Sequence, residues 1–301
     1  MRVEDIKGWR GVIDSVEKAN ALAVGVIGEF PEDRTYIHGA WATTNEIYHK
    51  GPGISKSDLD LVEHAPIVYL NTKTGAIVKR TTDAMNFGTV VHSYVLEPEL
   101  ASQIIAVCPN VDRRTKAGKE EYAAFIEKAG GKIVISEDDD KKALSMAEAV
   151  REHPLAGKLF QNGLAEISFY SHHSLGGMIT KCRPDYLASA MSGWRIVDLK
   201  TTSSGTKRDF SRSACDFRYD VQAAFYSDVV HAVTGRPVSE FIFVAVEKEA
   251  PYLVSVYSLS DETLQNGRAA YQANLKTLAL CESKNEWPGY PETIETLMFR
   301  R

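Results

Sequence analysis

The chain has 301 residues, 44% hydrophobic and 25% charged, with a formal net charge of −5. This balance is that of an ordinary globular domain, and it excludes a disordered chain or a basic coat protein for nucleic acid, though not an enzyme with a local basic groove. No apolar run approaches the length of a membrane-spanning helix, and Met1-Arg2-Val3-Glu4-Asp5 is charged where a signal peptide would begin, so a cytoplasmic protein without a membrane partner is expected.

In chain order, 15–28 reads as an apolar helix and 28–35 as a loop. Gly51-Pro52-Gly53-Ile54-Ser55 is a turn and helix entry, with Ser55 and Asp58 spaced as a capping box. The helix that follows carries Leu59, Leu61, Val62 and Ile67 and should kink at Pro66. Further helices are predicted over 83–97, 115–129 (closed by Gly130-Gly131) and 136–152, with a short strand at 132–135. From residue 164 the apolar period changes to two, which predicts strands at 165–171, 178–187 and 194–201. A helix over 219–233, a strand pair around Glu249-Ala250-Pro251 and a last helix over 261–282 complete the pattern. Helices followed by a sheet core with an inserted helix make a layered α/β (α+β) domain. Residues 1–44 are the least legible and are set apart as an N-terminal extension to which no role is assigned; 45–301 form the main domain.

The chemistry concentrates in Arg183-Pro184-Asp185 and Ile196-Val197-Asp198-Leu199-Lys200-Thr201-Thr202. This spacing suits two antiparallel strands joined by a turn at Ser189, Ser192 and Gly193. Residues two apart on a strand share a face, so Asp198 and Lys200 project together from an apolar strand. Charges there are costly unless paired or bound to a metal. Two converging carboxylates make a hard oxygen site for Mg²⁺, and a lysine beside it can orient water or stabilise charge on a phosphate. A salt-bridged edge strand is the plainer reading of the same tripeptide.

His92 lies on an apolar helix and becomes a ligand only if the sheet brings carboxylates to it; otherwise it is a core histidine. Glu166 starts a strand and reads as a strand-end charge. Gln222 and Tyr226, four apart, share a helix face and could reach phosphate oxygens, or could simply cap and pack. The loop carrying Arg113, Arg114, Lys116 and Lys119 precedes a helix N-terminus and suits phosphate, with a solvated charge run as the alternative. Lys181, Arg183, Lys207 and Arg208 flank the acidic motif and could grip a DNA backbone. Tandem His172-His173 reads as surface. Cys108, Cys182, Cys215 and Cys281 are scattered without a C-x-x-C pair, which argues against zinc or iron–sulfur ligation.

Taken together, His92, Asp185, Asp198-Leu199-Lys200 and Gln222-x-x-x-Tyr226 resemble the RecB-type branch of the PD-(D/E)xK nuclease superfamily. Tyr48–Ser57, Val95–Glu99, Arg113–Lys119, Cys182–Asp185, Val197–Thr202, Tyr219–Asp228 and Glu286-Trp287-Pro288 extend the resemblance toward RecE-type exonucleases (exodeoxyribonuclease VIII) over residues 45 to 290. The resemblance implies a restriction-endonuclease-like core with a central mixed sheet flanked by helices. It implies a Mg²⁺-dependent (Mn²⁺ as substitute) 5′-to-3′ exonuclease acting on double-stranded DNA ends, releasing 5′-mononucleotides and leaving 3′ single strands. A RecT-like single-strand annealing protein as partner, a role in phage or prophage recombination and a toroidal homotetramer follow from it as expectations. By the same resemblance, His92, Asp185, Asp198 and the Leu199 carbonyl would bind metal, with Glu166 as a weaker ligand. Lys200 would position or activate water, and Gln222 and Tyr226 would hold the scissile region. The alternatives are another RecB-like nuclease (endonucleolytic or single-strand specific), a catalytically dead DNA-end binding module and, last, a small-molecule phosphoesterase.

Overall fold

A computed structural model describes residues 24–26, 37–78, 82–173 and 177–296. Its strands are β1 (Val24–Val26), β2 (Gly39–Ala42), β3 (Ile105–Cys108), β4 (Ile133–Ser136), β5 (Gly163–Ala165), β6 (Ile167–His172), β7 (Ile179–Cys182), β8 (Tyr186–Ala190), β9 (Gly193–Thr202), β10 (Val238–Glu247) and β11 (Val254–Ser258). Its helices are α1 (Asn45–Lys50), α2 (Lys56–His64), α3 (Pro66–Lys73), α4 (Asp83–Leu96), α5 (Ala101–Ile104), α6 (Lys116–Ala129), α7 (Glu137–Glu152), α8 (Ala156–Leu159), α9 (Lys207–Asp216), α10 (Tyr219–Thr234) and α11 (Asp261–Lys284).

The central sheet runs β11-β10-β9-β8-β5, mixed because β10 and β9 are parallel and every other pair is antiparallel. The helix pair α9 and α10 lies between β9 and β10, the crossover that parallel neighbours require. A second sheet, β1-β2-β6-β7, stands beside it, and β3 and β4 form a small parallel pair.

Alternation along β9 divides the core in two. Trp194 and Ile196 face one side, against Val221, Ala224, Phe225 and Leu278 of α10 and α11. Val197 and Leu199 face the other, against Val90, Val91, Met146 and Val150 of α4 and α7. Asp198 and Lys200 therefore belong to the α10 face. α11 holds α10 in place at very short range: a Cβ on Gly267 would stand 2.2 Å from the Asp220 carbonyl oxygen, so the approach of the two helices requires glycine.

Most predicted elements appear where the periodicity put them, with four differences. The stretch 178–187 is not one strand but β7 and β8, which lie in different sheets and are separated by Arg183-Pro184-Asp185. Proline supplies no N–H to a ladder, and the chain changes sheet there. The stretch 165–171 breaks in the same way at Glu166, whose φ of +55° is the left-handed conformation. The kink expected at Pro66 is a full break between α2 and α3 at Ala65. Of the helix expected over 15–28, residues 24–26 are instead a strand paired parallel to β2, and the rest, with the loop at 28–35 up to residue 36, lies outside the described residues. Among the described residues, no helix is long and apolar enough to cross a membrane.

Candidate active site

The two sheet-switching points meet: the Glu166 N–H donates to the Asp185 carbonyl at 3.1 Å. β8 begins at Tyr186, opposite Val197, and one further step of that antiparallel register sets Asp185 across from Asp198. With the ladder ended, the Asp185 side chain replaces a strand: its Oδ2 accepts the Leu199 N–H at 2.7 Å. Pro184 thus does more than end β7, because it turns the next carboxylate onto the edge of β9.

Across β9, Asp198 is fully buried and ion-paired with the Lys200 ammonium. Gln222 of α10 joins both groups, donating Nε2 to Asp198 Oδ2 at 2.5 Å and accepting from Lys200 Nζ at 3.1 Å. The Lys200 ammonium also lies 4.7 Å from the centroid of the Tyr219 ring. Burial acts to discharge Lys200, but Asp198 and then Asp185 outweigh it and hold the ammonium above its ordinary value. Lys200 is therefore a fixed cation and a donor at neutral pH, not a proton acceptor. Tyr226, one turn after Gln222, packs against the core between α10 and the sheets, and burial keeps its phenol protonated beside Tyr48, Cys182 and the two aspartates.

On the other side of Asp185 stands His92, with Nδ1 3.5 Å from Asp185 Oδ2. His92, Glu166 and Asp185 can each turn one ligand atom to within 4.8 Å of the others. Burial lowers the His92 pKa, so the imidazole is neutral, the form that ligates a metal. Burial and then the Asp198 and Glu166 charges push the Asp185 carboxyl well above the usual carboxylate range. Anionic charge is in excess here, and one imidazole with carboxylates is a donor set suited to a hard or borderline divalent cation. The residues present fit such an ion. Glu166, which the sequence presents as a strand-end charge, is central in this cluster, whereas Asp198 is tied to Lys200 and Gln222.

Two residues escape a sequence reading. Tyr219 sits three positions before Gln222, and that helical spacing was its signal. Glu97 ends α4, five residues after His92; burial and then Glu166 push its carboxyl up to about 7, against the pull of Arg183. Between its ordinary 4.5 and about 7 the folded chain holds a proton that the unfolded chain releases, so stability is lost as pH rises through that window. Glu97→Gln removes this loss. Urea unfolding in EDTA should show the variant gaining ~3 kcal/mol on the parent between about pH 4 and pH 8. A constant difference across that range would show that Glu97 is not perturbed.

The basic residues divide. Arg113, Arg114, Lys116 and Lys119 are exposed on the loop and first turn of α6, and Lys207 and Arg208 are exposed on α9. Arg114 is paired with Asp112 (2.9 Å), and Arg113 lies over the Tyr122 ring. Two expectations need correction. Lys181 is 3% exposed and donates to the Tyr48 and Gly51 carbonyls at 2.7 and 2.6 Å, so it ties α1 and the following turn to β7 and cannot reach a phosphate. Arg183 has a side chain 9% exposed and donates Nε to Glu166 (2.6 Å) and Nη1 to the Thr43 carbonyl (3.1 Å). It is an internal counter-charge, not a surface contact.

The crystal structure of a "Putative exonuclease" from Eubacterium rectale superposes with a TM-score of 0.57 over 81% of this chain and 88% of its own, at 18% identity. A second solved structure, that of SSO0001, aligns over 72% of this chain and 82% of its own at 14% identity and a TM-score of 0.27, too low to inform the fold. No curated protein is detectably similar in sequence. The mixed sheet with flanking helices, an acid just ahead of β8 opposite an acid on β9, and the lysine two residues on agree with a PD-(D/E)xK nuclease-type fold. A family model matches residues 55–299, and the chain belongs to that family, the PDDEXK-like domain of unknown function (DUF3799).

Proposed function

We propose that this chain is a divalent-metal-dependent exonuclease that digests double-stranded DNA from its ends, 5′ to 3′, releasing 5′-mononucleotides. The observation that carries the reading is the convergence of His92, Glu166 and Asp185 where two sheets part, directly beside the Asp198–Lys200–Gln222 network. His92, Glu166 and Asp185 hold the ion, Mg²⁺ or Mn²⁺, with Asp198 and the Leu199 carbonyl adjoining. Bound there, it supplies Lewis acidity toward a phosphate and lowers the pKa of water. Lys200, kept protonated, donates to a phosphate oxygen and stabilises the charge that grows on it. Gln222 fixes the Lys200 ammonium, and Tyr226 backs Gln222 on the same helix face. Exposed Arg113, Lys119, Lys207 and Arg208 contact the backbone, which gives little sequence preference and steep salt dependence. A 3′ single strand left behind is the substrate of a RecT-like annealing protein, and a ring-shaped homotetramer would keep the enzyme on its track.

Linear duplex labelled at either the 5′ or the 3′ end, incubated with Mg²⁺, tests this. The 5′ label should appear first as mononucleotide, EDTA should stop release, and covalently closed circles should survive. Cleavage of circles would make the chain an endonuclease; end binding without nucleotide release in Mg²⁺ or Mn²⁺ would make it a DNA-end binding module.

A further inference from the structure

α9 and α10 meet at a junction that no part of the metal site explains. Phe217 follows α9 directly, and its side chain is among the exposed large apolar groups, with 61% of the residue open to solvent. Its backbone is nevertheless held firmly. The Phe217 N–H donates to Ser213 at 2.9 Å, and its carbonyl accepts the Lys56 ammonium at 2.6 Å. The next residue, Arg218, has φ +52°, a left-handed conformation that is strained for a non-glycine residue. A clamp maintains it: the Arg218 guanidinium donates to Asp60 (3.1 Å), Glu63 (3.3 Å), Asn274 (2.8 Å) and the Leu59 carbonyl (3.4 Å).

The strained residue fixes the ring on either side of it. Phe217 and Tyr219 are stacked, with centroids 6.0 Å apart and planes at 21°. Tyr219 in turn carries the Lys200 ammonium on its ring, at 4.7 Å. A continuous line therefore runs from the metal-side lysine through a half-buried ring to an exposed one. α9, which leads into Phe217, carries exposed charge along its length. Lys207, Arg208 and Arg212 are exposed, while Asp209, the acid of its first turn, is turned back onto Ser204 (2.8 Å) and Thr206 (3.0 Å). A fixed, exposed aromatic face is the chemistry that stacks an unpaired nucleic-acid base, while cations elsewhere along the same strand take its backbone.

We infer that Phe217 is a stacking platform that takes an unpaired base of the DNA strand being cut, presented by the Arg218 clamp, with the exposed cations of α9 engaging the backbone farther along that strand. The inference rests on the nuclease reading for its substrate and adds the group that separates and positions the terminal nucleotide.

Photocrosslinking tests it without turnover. Linear duplexes carrying 5-iodo-deoxyuridine at each of the three terminal positions of either strand are bound in Ca²⁺, irradiated and digested, and the modified peptide is sequenced by mass spectrometry. The expected product is a crosslink at Phe217 from one or two of those positions. In Mg²⁺, Phe217→Ala should raise KM roughly 5- to 150-fold, with the smaller effect on kcat, and Phe217→Trp should restore KM. Both variants should melt with the parent, since the side chain is exposed. DNA cleavage with no crosslink at Phe217 and unchanged kinetics in Phe217→Ala would overturn the platform while leaving the nuclease intact. A Phe217 crosslink from a protein that releases no nucleotide in Mg²⁺ or Mn²⁺ would keep the platform and remove the nuclease.

Discussion

Replacing Lys200 with Met is expected to lower kcat for DNA hydrolysis by about 10²–10³-fold, the loss typical of removing one donor from developing transition-state charge. The same change should cost stability, because it strands the Asp198 carboxylate. Asp198 is 0% exposed, and its partners are the Lys200 ammonium and the Gln222 amide. Breaking a buried pair by removing one member costs roughly 3–5 kcal/mol, whereas removing both charges together is often nearly neutral. The double variant Asp198→Asn/Lys200→Met should therefore recover most of the stability lost by Lys200→Met and none of the activity. Urea unfolding in EDTA measures the first quantity, and single-turnover release of labelled nucleotide in Mg²⁺ measures the second. A double variant as unstable as the single one would mean that Asp198 is not neutralised by Lys200. Parental turnover in Lys200→Met would remove the lysine from the chemistry.

The same pair shows what a sequence can and cannot reveal. Asp185, Asp198 and Lys200 were legible because strand alternation is short-range: a tight turn between β8 and β9 and a period of two suffice to set Asp185, just ahead of β8, across from Asp198. Gln222 was legible for the same reason at helical spacing. The sheet switch was not. Alternation continues through 178–187 without a sign that β7 and β8 belong to different sheets, and proline is the only local mark. Glu166 suffered most from this, since its place beside Asp185 depends on both breaks coinciding. Lys181 and Arg183 were misread for a related reason. Lys181 finds its acceptors at Tyr48 and Gly51, more than a hundred residues earlier, and no local pattern tells a lysine aimed at a phosphate from one aimed at buried carbonyls. His92 lay between these cases: helical periodicity places it on α4, but only the packing of α4 over β9 determines that it meets Asp185.

Arg183 carries the second large effect. Its guanidinium links Glu166, at the switch between β5 and β6, to the Thr43 carbonyl just beyond β2, and so joins the two sheets through one planar group. Arg183→Met deletes the charge and leaves both Glu166 and the Thr43 carbonyl without their partner. The expected loss is about 3–5 kcal/mol of stability in EDTA, from the uncompensated carboxylate. Glu166 would then be free to swing, and a ligand that loses its outer hydrogen bond typically costs 10- to 100-fold in metal affinity, read here by calorimetric titration with Mn²⁺. Arg183→Lys should recover only part, because an ammonium cannot span both acceptors as the fork does. The salt dependence of DNA binding in Ca²⁺ separates this role from a phosphate contact. Arg208→Ala should flatten the slope of log K against log salt by ~0.9, the share of one neutralised phosphate, and Arg183→Met should leave it as it was. If instead Arg183→Met flattens the slope while stability and Mn²⁺ affinity stay at parental values, Arg183 faces the DNA and the description of the sheet junction is wrong.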